Sequence, residues 1–134
     1  MIQIEMYDIT VLAIGIVGLL SLVQLLVADI LAIKQKHTPG YPISPDHESF
    51  LFRATRAHSN LNESIAIFVL FALFGILSSC SPYWLNTFSS IYLVSRILYM
   101  SLYYANLKLA RSAVFGLSII SLLGMFVVSI SNWL

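Results

Sequence analysis

The first long apolar run, residues 9–33, carries one charged side chain, Asp29, in 25 residues. As a helix it would extend roughly 38 Å, more than the ~30 Å hydrocarbon core of a bilayer. Such a run has no stable place in water, so the fold must treat lipid as part of its solvent. Three more runs follow, residues 65–77, 83–102 and 113–134, the first of these three reaching spanning length once the polar stretch before it is counted. With 59% hydrophobic and 10% charged residues, a soluble globular chain is excluded. The pattern predicts an all-α, multi-pass integral membrane four-helix bundle in one domain over residues 1–134, with helices at about 9–36, 45–78, 82–104 and 110–133. The first run lacks a basic n-region and is too long for an h-region, so it is expected to remain as a helix.

Placement of charge sets the expected topology. All seven Lys and Arg fall in three places: Lys34 and Lys36 after the first run, Arg53 and Arg56 before the second, and Arg96, Lys108 and Arg111 around the third connection. The positive-inside rule then makes the first and third loops cytoplasmic and leaves both termini on the non-cytoplasmic side. The lone cysteine, Cys80, has no partner for an internal disulfide and reads as structural. No basic cluster suited to nucleic acid, Gly-rich phosphate loop or metal-ligand spacing is present; His37, His47 and His58 share no helical face. Neither nucleic acid nor a metal is expected as a partner.

In helix 1, Gly15, Gly18, Ser21, Ala28 and Ala32 are small enough for close helix approach in lipid. Gln24 and Asp29 interrupt its inner half, and Asp29 is expected to point into the bundle or toward basic groups at the boundary. The connection KQKHTPGYPISPDHE has three prolines and a glycine and should be non-helical. Ser44 and Pro45 read as N-cap and N1 of helix 2, giving a helix of roughly 48 Å that starts before the membrane. Ser81 and Pro82 repeat the signal for helix 3.

The stretch FRATRAHSNLNES sets many polar groups directly before a strongly apolar run. At about 100° per residue, Arg53, Arg56, Asn60 and Glu63 fall within roughly 80° of one another, a single polar stripe where a helix enters the membrane. Ionisable groups are expensive there and mark a site by default. On helix 3, Tyr92, Arg96, Tyr99 and Tyr103 are spaced by four, three and four and share a face. Arg111 and Ser112 open helix 4, where guanidinium charge and helix N-terminus together favour an anion.

RATRAHSNLNESIAIF on helix 2, followed by RILYMSLYYANLKLARS on helices 3 and 4, resembles the MAPEG family, the membrane-associated proteins of eicosanoid and glutathione metabolism. The resemblance spans nearly the whole chain. It implies a homotrimer of four-helix subunits embedded in membrane lipids, with glutathione bound between subunits at the cytoplasmic side. It also implies Arg56, Asn60 and Glu63 as glutathione contacts with Arg53 beside them, Arg96, Tyr99 and Tyr103 on the helix 3 face, and Arg111 as the residue that holds the thiolate. The expected activity is a glutathione-dependent transferase or peroxidase acting on a lipophilic electrophile. A bacterial-type member would lie in the inner membrane. The chain departs from several glutathione-using members in offering Lys34 and Lys36 where they have an arginine at the end of helix 1, and Ser64 where some place a tyrosine. The rival reading is a non-catalytic member that uses the same cleft to hold a lipid.

Overall fold

The computed structural model describes residues 4–134. A single 3-10 turn, Ile4–Tyr7, leads into four helices: α1 Asp8–Lys34, α2 Phe50–Leu77, α3 Pro82–Tyr104 and α4 Lys108–Ile130. Cross-links between them fix an up-down-up-down bundle. Ser21 of α1 meets Asn62 of α2, Ser64 of α2 meets Tyr92 of α3, and Tyr103 of α3 meets Arg111 of α4. Each successive helix therefore runs antiparallel to the last.

Both ends of the described chain come together. The Tyr7 hydroxyl donates to the Cys80 carbonyl at 2.6 Å, and the Trp133 indole N–H donates to Ser78 Oγ at 2.8 Å. The α2–α3 connection thus sits beside both chain ends, and the loop over residues 35–49 and the three-residue turn 105–107 lie at the opposite end. Six of the seven basic residues belong to that opposite end, with Arg96 one level deeper. This is the end that the placement of charge leads one to expect on the cytoplasmic side.

Three helical stretches, Ile4–Lys34, Phe50–Leu77 and Lys108–Ile130, are long and apolar enough to cross a membrane. The α3 helix has 23 residues, as many as α4, but it is more polar, and its polar groups turn inward. Ser89, Ser95 and Arg96 are buried while Val94, Ile97 and Leu98 face outward. This arrangement is the inverse of a soluble helix and is what a lipid solvent requires.

The core is built around Phe68 of α2 stacked on Tyr92 of α3 at 4.4 Å, with Val17, Leu85 and Met125 closing round them. The Tyr92 hydroxyl shares a 2.7 Å hydrogen bond with Ser64, so this aromatic belongs to the core and not to an interfacial belt. Closest approach of the helices occurs at Gly75, where an added Cβ would come within 2.8 Å of Leu85 and of the Ser129 hydroxyl, and at Gly124 against Phe88. Gly15 and Gly18, expected to serve this purpose, have nothing within 4 Å; the alanines buried on α1 are Ala13 and Ala28.

Helix ends differ from the expected ones. The α2 helix begins at Phe50 and not near residue 45, because Asp46 closes a turn of its own, accepting from the Glu48 N–H at 3.0 Å and the Ser49 N–H at 3.1 Å. Ser49 is the N-cap and accepts from the Phe52 N–H, leaving α2 about 42 Å long. The α4 helix begins two residues earlier than expected, at Lys108, and ends at Ile130. Helices α1, α2 and α3 all close with a left-handed residue, Lys36, Ser79 and Asn106, at φ 53°, 52° and 59°. In each case the following N–H returns to a carbonyl five residues back, as His37 does to Ala32, the bonding of a Schellman cap.

Candidate functional site

At the basic end, between α2, α3 and α4, lies a pocket of about 310 Å³ lined by Arg56, Asn60, Tyr99, Tyr103, Arg111, Ser112 and Phe115. Five of these seven were expected from the sequence. Arg56 and Ser112 are exposed at its mouth, and Tyr99 and Tyr103 are buried in its wall.

Arg111 stands one turn into α4, its backbone N–H bonded to the Leu107 carbonyl. Its guanidinium carbon lies 4.1 Å from the centroid of the Tyr103 ring, close enough for the ring face to hold the group flat. The buried Nη1 has no hydrogen-bond partner within the protomer. A charged donor held in place, desolvated and unspent at a pocket wall is suited to an anion, and the first turn of α4 adds its partial positive charge.

Arg96, 1% exposed, projects from α3 into the bundle with its guanidinium 4.7 Å from the Tyr99 ring centroid. Its Nη2 donates to Asn60 Oδ1 at 2.7 Å, and Asn60 Nδ2 donates to Glu63 Oε2 at 3.4 Å. Only one orientation of the amide fits, since a guanidinium can only donate and a carboxylate can only accept. Asn60 thereby relays between a buried cation and an exposed carboxylate. Glu63 is outside the pocket lining and reaches it only through Asn60.

Arg53 is placed elsewhere. Its Nη1 donates to the carbonyls of His47 and Glu48 at 2.7 and 3.0 Å, and its Nε to the Tyr104 carbonyl at 3.2 Å. The guanidinium ties the 35–49 loop to the C-terminus of α3, which leaves an orphan carbonyl at Tyr104 to satisfy. Arg53 is on the predicted stripe but is a structural clamp, not a pocket residue.

Three contributors were missed by the sequence reading. Phe115 lies four residues after Arg111, on the same face, and this spacing was a usable signal. Ser112 was read only as part of the helix opening. His47, set aside as a metal ligand, stacks on Tyr103 at 6.2 Å between centroids and meets Phe52 edge-on at 5.0 Å; only the folded loop brings it there. Among the described residues no group of histidine, cysteine and acidic side chains could hold a metal.

Four antiparallel helices with inward polar groups define an integral membrane four-helix bundle, with a pocket of arginines and tyrosines at its basic end. The MAPEG family model matches residues 9–131, and the chain belongs to the MAPEG family. No curated protein and no solved structure matches it.

Proposed function

We propose that this protein is a membrane-embedded glutathione-dependent transferase or peroxidase acting on a lipophilic electrophile, with glutathione bound near the cytoplasmic face at a subunit boundary of a homotrimer. The observation that carries the reading is the unspent Arg111 Nη1 in a pocket shared with Arg56. Family membership supports glutathione-linked chemistry in general. The residues present suit the ligand: two guanidiniums answer its carboxylates and thiolate, the Tyr99 and Tyr103 hydroxyls its peptide groups, and Glu63, beside Asn60, its ammonium. The open mouth at Arg56 and Ser112, and the unfilled face at Gly15 and Gly18, leave room for a neighbouring subunit.

Glutathione, when bound, supplies the nucleophilic thiol. Arg111 stabilises negative charge at sulfur and so lowers the pKa of the thiol, with the released proton leaving to water through the open mouth. Tyr103 and His47 fix the orientation of Arg111, while Arg56 anchors a carboxylate and sets the register of the tripeptide. The apolar surface of α4 around Phe115 gives a lipid-soluble partner a route to the pocket from the bilayer.

The test is ultraviolet difference absorbance of glutathione on the detergent-purified protein. Wild type is expected to show thiolate absorbance near neutral pH, Arg111→Ala to lose it, and Arg111→Lys to regain it in part, since an ammonium brings charge without the planar fork. Glutathione binding with no thiolate signal, no conjugation and no peroxide reduction would give the pocket to a non-catalytic lipid-binding protein instead.

A further inference from the structure

A second cavity, about 500 Å³, lies on the other side of α2, between the end of α1 and the 35–49 loop. Arg56 faces the first pocket, whereas Thr55 and His58 face this one, as expected for positions on opposite sides of a helix. Its walls are mainly apolar, formed by Leu25, Ala28, Ile33 and Ile43, and the one carboxylate lining it is Asp29.

No lysine or arginine lines this cavity. Of the two imidazoles at its edge, His37 bonds through Nε2 to the Tyr41 carbonyl at 2.9 Å and His58 through Nε2 to Asn62 Nδ2 at 3.1 Å, the buried His58 Nδ1 being left without a partner; neither histidine is bonded to Asp29. Asp29 is five residues inside the end of α1, about 8 Å below it. At that depth a carboxylate without a counter-charge is costly. Tyr41 adds an aromatic face at the rim, a favourable neighbour for an organic cation. Apolar walls, a single negative charge and an aromatic rim together describe a complement to a hydrocarbon chain that ends in a protonated amine.

We propose that the cavity between α1, the 35–49 loop and α2 binds an amphiphilic amine, its ammonium paired with Asp29 and its chain lying along Leu25, Ala28 and Ile33. This site is independent of the thiol pocket and stands or falls without it.

Native mass spectrometry of the full-length protein, released from a neutral detergent and titrated with dodecylamine or dodecanol, tests the assignment. Wild type is expected to take up dodecylamine about 10-fold to 100-fold more tightly than dodecanol, the range of one charge-assisted contact. Asp29→Asn should bring the two to the same affinity while leaving glutathione binding unchanged. Ala32→Phe, which narrows the cavity without altering charge, should weaken both. Equal affinity for amine and alcohol in wild type, or a preference that survives Asp29→Asn, overturns the proposal. If Asp29→Asn does not fold, a folded Ala32→Phe that binds dodecylamine normally overturns it equally. Absence of amine binding combined with an altered oligomeric mass in Asp29→Asn would assign the groove to a second copy of the chain and overturn it too.

Discussion

Arg96 on α3 and Asn60 on α2 are joined by a 2.7 Å hydrogen bond, which ties together two of the three helices that line the pocket. It is the sole hydrogen bond of a guanidinium that is 1% exposed, with Nε and Nη1 both unpartnered. Removing the acceptor leaves a buried charge with no hydrogen bond, so Asn60→Ala is expected to cost roughly 1.5–3 kcal/mol. Replacing both partners together, as Asn60→Leu with Arg96→Met, should cost less than Asn60→Ala alone, because no orphan remains. Thermal unfolding in detergent measures the difference, and a double variant worse than the single would show that the link itself is what holds the helices.

Glutathione affinity should distinguish the two faces of α2. Arg56→Ala is expected to lower it about 10-fold to 100-fold, the value of a lost charge-assisted hydrogen bond. His58→Ala, on the face that borders the other cavity, should leave it within about 2-fold, a shift of a few tenths of a kcal/mol. Calorimetric titration of both variants decides it; matching losses would refute the assignment of the pocket.

Ser79 closes α2 at φ 52°, a conformation that glycine adopts freely and a Cβ disfavours by about 1–2 kcal/mol. Ser79→Gly should therefore raise stability by something under that, roughly 0.5–1 kcal/mol once the added freedom of the unfolded chain is subtracted. A melting temperature unchanged or lowered in detergent would contradict it.

Cys80 is 0% exposed, and burial raises its thiol pKa. Its thiolate fraction at neutral pH is thus below that of a free cysteine and grows only as pH climbs past the raised value. The native protein should resist maleimide at pH 7 and react after denaturation. With Cys80 replaced by alanine, a cysteine at position 108 in place of lysine should stay unlabelled by an impermeant reagent in intact cells, as the cytoplasmic assignment of the basic end requires. Ready labelling from outside would invert the topology.

The four helices were legible because lipid leaves hydrophobic runs so little choice. Their ends were less so. A glycine after each helix would have marked the left-handed caps, but Lys36 and Ser79 occupy two of those positions and carry no such signal; of the three, Asn106 alone is a residue that favours the conformation. Ser44 and Pro45 looked like a helix start, yet Asp46 turned the chain back first. The residues of the polar stripe part company in the fold: Arg56 and Asn60 line the pocket, Glu63 lies outside its lining, and carbonyls of the loop and of α3 capture Arg53. That capture depends on contacts between residues 51 apart in sequence, which no helical wheel displays.

The polarity of α3 bears on how the chain enters a bilayer. A translocon sampling helices one at a time would find α1, α2 and α4 apolar enough to release into lipid and α3, with Arg96 and its serines, marginal. The turn over residues 105–107 places α4 directly after α3, and α3 and α4 share the most extensive helix contact in the protein. Partitioning of α3 is therefore conditional on its hairpin partner, and truncation before α4 would strand the Arg96 helix at the membrane surface and leave the pocket without one wall.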